Sequence, residues 1–372
     1  MKYKLSNDNI QRYKDFLSSE AYLDLNEIAK SEYWKHHSSL VKINISNNIV
    51  EISGKSGFYT SHDSSLKKFK NFIVSLLRSA LKILISFKNI FGATHNPIKL
   101  LNYFDAYEKL FTSDEIGDPG LSPYKIDFNE IRKRNKFISS VKGCRKNYEG
   151  FTKGKFLFSE HVQLAYYHLN ILNKFAEIEK WSESKTILEI GGGNGNLISL
   201  IKNHVNTKTT IIDIDLPETI SHAFLYLSSL FPQARILLPS EIKSNDNSNI
   251  NLEDYDFIFL TPNQTWLLQD NTVDLAINIH SFQEMTHEQI HEYFSLIQRV
   301  GKDNSFFLTS NRVEKIPSGE TVNENKYFPP VNRFFEYPWD NKNQVIIFEI
   351  CRFLRLTQLD PTFIRLEKIR KS

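Results

Sequence analysis

The sequence has little cysteine and no large excess of charge of either sign. Its two cysteines, Cys144 and Cys351, argue against a disulfide framework and favour a reducing cytoplasm. The net charge of +3 gives no general electrostatic attraction to nucleic acid. The first residues contain no apolar stretch typical of a signal peptide. These absences predict a cytoplasmic globular protein that does not act on nucleic acid.

The sequence also lacks an uninterrupted apolar run of membrane-spanning length. Its most apolar early stretch, 67–91, is broken by Arg78, Lys82 and Lys88. Apolar residues recur there at helical spacing, which predicts an amphipathic helix. Such a helix packs within an ordinary domain, the commoner arrangement, or lies on an anionic membrane surface. We therefore expect at most a peripheral membrane contact.

The pattern of the chain changes near residue 150. Residues 1–150 are expected to be mainly helical, broken by a polar stretch at 44–65. Over 151–372, apolar strand-like runs alternate with helical ones: TILEI (186–190), TTIIDID (209–215), DFIFLTP (256–262), VDLAINI (273–279), SFFLTS (305–310) and VIIFEICRFLRL (345–356). This alternation predicts an α/β domain, with helices on both faces of a mostly parallel sheet.

A glycine-rich turn, ILEIGGGNGN at 187–196, ends the first predicted strand. Glycine lets a ligand approach the backbone closely at the carboxyl end of such a strand. The dinucleotide pattern G-x-G-x-x-G is not met, and no Gly-Lys-Ser/Thr follows, which excludes a P-loop. What remains is Glu189, one residue, and then Gly191, Gly193 and Gly195 in alternation. A tight strand–helix turn without a ligand is the alternative interpretation.

Carboxylates and amides follow the next two predicted strands. Asp213 and Asp215 lie about twenty residues past the glycines, where a carboxylate can accept hydrogen bonds from a ribose diol. The unused aspartate would cap the helix that begins near Pro217. Asn263 and Gln264 end the third strand, as ligand contacts or as an ordinary polar turn.

Histidines and acids concentrate after the fourth predicted strand, in AINIHSFQEMTHEQIHEYF. His280 is a candidate proton acceptor, because imidazole titrates near neutral pH. Glu284 would orient its ring if the chain is helical there. The alternative is a structural histidine followed by a capping Ser281.

The same stretch contains HEQIH, the pentapeptide of zinc proteases. His287 and His291 would be two ligands and Glu314 a third. We expect no metal, because this pentapeptide arises easily in a helix rich in His and Glu, and His287 would lie solvated at the helix start.

These motifs resemble those of methyltransferases. Glu189 followed by G-x-G-x-G is similar to the first motif of class I S-adenosylmethionine-dependent methyltransferases. INIHSFQEMT, with DLPETI and LTPNQ ahead of it, looks like a bacterial family of sugar O-methyltransferases. The resemblance covers roughly residues 140–372. It implies a seven-stranded Rossmann-like sheet whose last strand is antiparallel, closed by a hairpin over 345–369.

The resemblance also implies roles for individual residues. S-adenosyl-L-methionine would be held by Glu189, Gly191, Gly193, Gly195 and Asp215, and its adenine by Asn263 or Gln264. Asp215 is preferred to Asp213 because it begins the tripeptide DLP, seen at this point in many O-methyltransferases. His280 would be the general base for the acceptor hydroxyl, oriented by Glu284. The acceptor pocket would be lined by Asn311, Arg312 or Glu314.

The predicted function is S-adenosylmethionine-dependent O-methylation of a sugar hydroxyl in surface-glycan biosynthesis. Methylation of another small-molecule hydroxyl and cofactor binding without catalysis are the alternatives. Methyl transfer is a single displacement, so positioning contributes more than covalent chemistry. The first 140 residues match no family pattern, and we expect the N-terminal region to cap the acceptor site, pair subunits or contact membrane.

Overall fold

A computed structural model describes the chain over residues 2–23, 42–53, 144–156, 158–242, 250–315, 331–351 and 362–371. The predicted amphipathic segment 67–91 lies outside these residues. Within them, no helix combines the length and the apolar character that crossing a bilayer requires.

The strands and helices have the following bounds. The strands are β1 (Lys2–Lys4), β2 (Lys42–Ser46), β3 (Ile49–Ser53), β4 (Lys185–Ile190), β5 (Thr209–Ile214), β6 (Ile236–Leu237), β7 (Phe257–Leu260), β8 (Val273–Ile279), β9 (Gly301–Arg312), β10 (Glu314–Lys315), β11 (Asn332–Arg333), β12 (Gln344–Ile350) and β13 (Thr362–Lys368). The helices are α1 (Asn7–Leu17), α2 (Glu20–Leu23), α3 (Glu160–Ala176), α4 (Asn196–His204), α5 (Pro217–Leu230) and α6 (His287–Val300).

A mostly parallel sheet forms the centre of the described chain, in the order β12-β13-β9-β8-β4-β5-β7-β6. The six neighbouring strands β9, β8, β4, β5, β7 and β6 are parallel to one another. Strand β13 runs antiparallel to both β9 and β12. The predicted α/β sheet and its antiparallel last strand are thus confirmed. The predicted number of seven strands is wrong, because the two residues Ile236–Leu237 add an eighth strand beside β7.

The central strands are apolar throughout because helices cover both faces of the sheet. All six residues of β5 are buried. Consecutive residues of β4 belong to different apolar clusters: Ile187 packs in the cluster that contains α4 and α5, and Leu188 in the one that contains α6. Burial on both faces explains why these strands do not alternate between apolar and polar residues.

The described part of the N-terminal region is not only helical. Strands β1, β3 and β2 form a small antiparallel sheet, whose β2–β3 turn places Asn47 in the left-handed region at φ 51°. This hairpin occupies part of the polar stretch that was expected only to interrupt helices. Tyr13 of α1 stacks on Phe224 of α5, with ring centroids 6.2 Å apart. Helix α5 is therefore covered by the N-terminal segment as well as by the sheet.

Candidate functional site

The glycine-rich turn connects β4 to α4 at the carboxyl end of the sheet. Gly191, Gly193 and Gly195 have φ values of 73°, 62° and 80°, which favour glycine. A Cβ on Gly191 would overlap the side chain of Ser281, and one on Gly192 would lie 2.7 Å from an Asp213 oxygen. A Cβ on Gly193 would meet nothing within 4 Å. Packing alone therefore requires glycine at 191 and 192, whereas Gly193 faces open space.

Two aspartates at the end of β5 hold this turn. Asp215 accepts hydrogen bonds from the N–H groups of Gly193 at 2.9 Å and Leu216 at 2.7 Å. Asp213 accepts one from the N–H of Gly192 at 3.1 Å. Glu189 of β4 pairs in register with Asp213, so the three carboxylates lie on one face of the sheet.

The three carboxylates are close together and short of positive charge. Glu189 and Asp213 are 2% and 1% exposed, and each has a buried oxygen without a hydrogen-bond partner. Burial, followed by the charge of Asp215, raises the pKa of both groups. Burial also raises the pKa of Asp215, against the effect of its backbone hydrogen bonds. No Lys or Arg of the described chain forms an ion pair with them, so the site suits a cationic ligand.

A network of buried amides and hydroxyls joins the ends of β4, β8 and β9. Asn278 and Ser281 both donate to the carbonyl of Ile190 at 3.0 Å. Asn311 donates to Asn278 Oδ1 at 2.8 Å and to Thr309 Oγ1 at 2.9 Å. Its own oxygen accepts from the N–H of Gln283 at 3.3 Å. Asn311 is 0% exposed with both amide hydrogens in use, so it belongs to the interior and the prediction that it lines an acceptor pocket is wrong.

His280 ends β8 in a strained conformation. Its φ is 63°, outside the usual range for a residue with a side chain, and its N–H donates to the carbonyl of Ser310 at 2.8 Å. The ring is half-buried, and Nε2 is buried without a hydrogen-bond partner. Burial, together with the positive charge of Arg312 and the neighbouring His161, lowers the pKa of His280 to about 4. The imidazole is therefore neutral near pH 7 and can accept a proton.

Glu284 does not occupy the predicted position beside His280. The left-handed φ of His280 prevents a helix from running through it, and Glu284 lies in a separate short turn, Phe282–Glu284. Its charge acts on Asp215 and raises the pKa of that group. The groups that act on His280 lower its pKa, whereas a carboxylate partner would raise it. The orienting role of Glu284 therefore stays a prediction, without the helical spacing on which it was based.

The two amides after β7 differ in what they can offer. Gln264 Oε1 accepts from the N–H of Thr261 at 3.1 Å, and its Nε2 donates to the carbonyl of Pro239 at 3.1 Å. Its amide thus supports the turn Pro262–Leu267 instead of facing a ligand, contrary to prediction. Asn263 is exposed on that turn, and Trp266, which sequence reasoning missed, is 59% exposed beside it.

The remaining predicted residues, Arg312, Glu314, His287 and His291, do not come together in one site. Glu314 accepts from Arg333 Nε at 2.7 Å across the β10–β11 pair, while Arg312 lies near His280. His287 and His291 are exposed on α6. Among the described residues, no group of three His, Cys, Asp or Glu side chains could hold a metal ion.

Comparison with known proteins finds similarity only among solved structures. No family model and no curated protein matches the chain. An S-adenosylmethionine-dependent methyltransferase from Aquifex aeolicus is 18% identical over 54% of this chain and 88% of its own, with a TM-score of 0.33. Geranyl diphosphate C-methyltransferase from Streptomyces coelicolor, solved with Mg²⁺, geranyl diphosphate and S-adenosyl-L-homocysteine, is 11% identical over 56% and 83%, with a TM-score of 0.38.

Proposed function

We propose that this chain is an S-adenosyl-L-methionine-dependent O-methyltransferase that acts on a sugar hydroxyl. The observation that carries the proposal is the environment at the carboxyl ends of β4 and β5. There a glycine faces open space beside two buried carboxylates, Glu189 and Asp213, and the half-buried Asp215, none of which has a cationic partner among the described residues. S-adenosylmethionine carries two positive groups, its ammonium and its sulfonium, and therefore complements this site.

The residues present fit such a cofactor. Asp215 accepts hydrogen bonds from two backbone N–H groups and the Thr219 side chain, and its remaining lone-pair capacity would accept from the ribose hydroxyls. Glu189 has an unpartnered oxygen that would accept from the ammonium group. The exposed Asn263 would contact the adenine. When bound, the cofactor supplies an electrophilic methyl group.

His280 supplies the matching acid–base chemistry. A hydroxyl is a weak nucleophile, and a neutral imidazole within reach of it can remove its proton during transfer. The partner-free Nε2 supports this role. Arg312 lies beside His280, keeps it neutral and would contact the acceptor. The choice of a sugar in surface-glycan biosynthesis rests on the resemblance of INIHSFQEMT, DLPETI and LTPNQ to sugar O-methyltransferases, and the cytoplasmic location rests on the low cysteine content.

Calorimetric titration with S-adenosylhomocysteine tests the cofactor part of the proposal. Wild type is expected to bind, and Asp215→Ala to bind about 10- to 100-fold more weakly, because hydrogen bonds to a charged group contribute about 1.5–3 kcal/mol. Asp274→Asn, at the opposite end of the sheet, is the control and should bind like wild type. A folded wild-type protein that does not bind would refute the proposal.

His280→Gln separates binding from transfer. The variant should keep its affinity for S-adenosylhomocysteine and lose methyl transfer to sugar nucleotides. Transfer to phenols but not to sugars by wild type would contradict the sugar assignment. Undiminished transfer by His280→Gln would remove the histidine from the mechanism.

A further inference from the structure

The N-terminal helix α1 is tied to the edge of the central sheet by one arginine. Arg12 forms a two-pronged ion pair with Glu241, with Nε–Oε1 at 2.6 Å and Nη2–Oε2 at 2.8 Å. The same Nη2 donates to the carbonyl of Ile236 in β6. Both side chains are at least two-thirds buried, at 24% and 32% exposed. The added eighth strand, only two residues long, is thus held from outside by α1.

The contacts continue from Glu241 toward the end of β7. Glu241 Oε2 also accepts from the N–H of Leu238 at 2.9 Å, which closes the short turn Pro239–Glu241. The carbonyl of Pro239 accepts from Gln264 Nε2 at 3.1 Å. Gln264 Oε1 in turn accepts from the N–H of Thr261 at 3.1 Å and its hydroxyl at 3.2 Å. An unbroken series of polar contacts therefore connects α1 to the turn after β7.

That turn lies beside the proposed cofactor site. The N–H of Asp215 donates to the carbonyl of Leu260, the last residue of β7, at 3.2 Å. The turn Pro262–Leu267 follows at once and presents Asn263 and Trp266 to solvent. It is a short 3₁₀ segment, which has little stability of its own, so its position depends on what supports it.

We propose that the N-terminal helix braces the cofactor site. Arg12 is a positioning residue that holds the turn Pro262–Leu267 through Glu241, Pro239 and Gln264, and so sets the affinity for the adenosyl part of the cofactor. This inference rests on the proposed function for its ligand. It gives the segment 2–23, which carries none of the glycine or carboxylate chemistry, a part in cofactor binding.

The geometry of the Arg12 guanidinium suits it to hold Glu241 and β6 at the same time. This planar group reaches both Glu241 oxygens and the Ile236 carbonyl at once, whereas a lysine ammonium acts as a single point of charge. Arg12→Lys should therefore restore only part of what Arg12→Ala loses. Lys185→Ala is a matched control, because Lys185 also forms a half-buried ion pair, at 3.2 Å with Asp274, at the opposite end of the sheet.

Hydrogen–deuterium exchange tests the brace without any ligand. Amides of 261–267 should exchange faster in Arg12→Ala than in wild type, and at the wild-type rate in Lys185→Ala. Calorimetry with S-adenosylhomocysteine should show affinity about tenfold weaker in Arg12→Ala and unchanged in Lys185→Ala, as expected when a charge-assisted contact no longer holds the turn. Gln264→Ala breaks the series at a second point and should match Arg12→Ala. The double variant should be no weaker than either single one.

The outcomes separate the brace from the cofactor assignment. Unchanged exchange at 261–267 in folded Arg12→Ala overturns the brace, and if Arg12→Ala does not fold, exchange at the wild-type rate in Arg12→Lys overturns it. Faster exchange with unchanged affinity also overturns it, because the turn would then not serve the ligand. A wild type that binds no S-adenosylhomocysteine refutes the proposed function and the cofactor role of Arg12, while exchange still reports whether the turn is held.

Discussion

The acidic side chains at the two ends of the central sheet differ in whether they have cationic partners. At the amino end, the carboxylate of Asp274 in β8 forms ion pairs with Lys185 at 3.2 Å and Lys302 at 2.8 Å. It also accepts a hydrogen bond from the N–H of Thr186 at 2.9 Å. At the carboxyl end, Glu189 and Asp213 are more deeply buried and each keeps an oxygen without a partner. Both ends contain acids close to strand termini, yet only one provides them with cations.

This difference indicates where binding takes place. A buried acid without a cationic partner resists ionisation, which the raised pKa values of Glu189 and Asp213 reflect, and a bound cation would offset the cost of ionising it. The same end contains His280 at a left-handed φ of 63° and a tight approach of Gly191 to Ser281 that leaves no room for a Cβ. The ion pairs at the amino end stabilise the sheet, whereas the carboxyl end is where we propose that the cationic cofactor binds.

The largest effect is expected from adding a methyl group at the glycine turn. Gly191→Ala should lower the free energy of unfolding by about 2–5 kcal/mol. The left-handed φ costs about 1–2 kcal/mol, and the overlap with Ser281 adds to it. Gly193→Ala, with the same kind of φ but open space, should cost only about 1–2 kcal/mol.

Gly193→Ala should affect ligand binding more than it affects stability, whereas the main effect of Gly191→Ala should be on stability. Gly193→Ala should abolish S-adenosylhomocysteine binding in a protein that remains folded, because the added methyl would occupy space meant for the ligand. Urea unfolding and calorimetry measure the two quantities. Equal stability losses, or unaffected binding in Gly193→Ala, would contradict the idea that open space at this turn is a ligand site.

Removing one buried charge from the carboxyl end should affect stability and binding in opposite directions. The pKa of Glu189 rises from 4.5 to about 8 in the folded protein. Between these values the folded state binds more protons than the unfolded state, so the stability of the ligand-free wild type falls as pH rises. Glu189→Gln should make that slope shallower, because Asp213 and Asp215 still contribute to it, and should be more stable than wild type at pH 8 by about 1–3 kcal/mol.

The same substitution should weaken S-adenosylhomocysteine binding about tenfold, because its ammonium loses a carboxylate partner. Unfolding curves at pH 5, 6.5 and 8 give the slope, and Glu183→Gln, at an exposed position, controls for the substitution. A variant that is less stable than wild type at pH 8 would show that the Glu189 charge is already compensated within the protein.

Sequence patterns predicted the sheet and the glycine-rich turn after its first parallel strand because these depend on local, repeated features. Continuous apolar strands and alternating glycines follow directly from the order of residues. The extra strand Ile236–Leu237 could not be predicted, because two residues carry no periodic pattern and their contacts are with β7 and with Arg12, more than two hundred positions away. Gln264 is different, since Thr261 and Gln264 have the spacing of a capping box, a signal that its amide would be in use.

The polar residues after β8 and β9 show the limit of reasoning from position alone. Asn311 and Arg312 are adjacent at the end of β9, and a strand turns neighbouring side chains to opposite faces. Asn311 therefore points into the interior and Arg312 toward His280. Glu284 is four residues after His280 in the sequence, but the left-handed φ of His280 interrupts any helix, so this spacing does not place the two side chains on one helix face. Which neighbour faces a site was decided by register and backbone turns that no motif records.

The smallest effect is expected at the amino end, and it tests the comparison most directly. Asp274→Asn keeps an acceptor for the N–H of Thr186 and loses two ion pairs with partly exposed lysines, so it should cost only about 1 kcal/mol of stability. Its affinity for S-adenosylhomocysteine should equal that of wild type. If affinity fell as far as in Asp215→Ala, charge at the two ends would be coupled through β4 and β8, and binding could not be assigned to one end. Unchanged affinity with a small loss of stability would mean that paired acids hold the sheet together while unpaired acids are kept for the ligand.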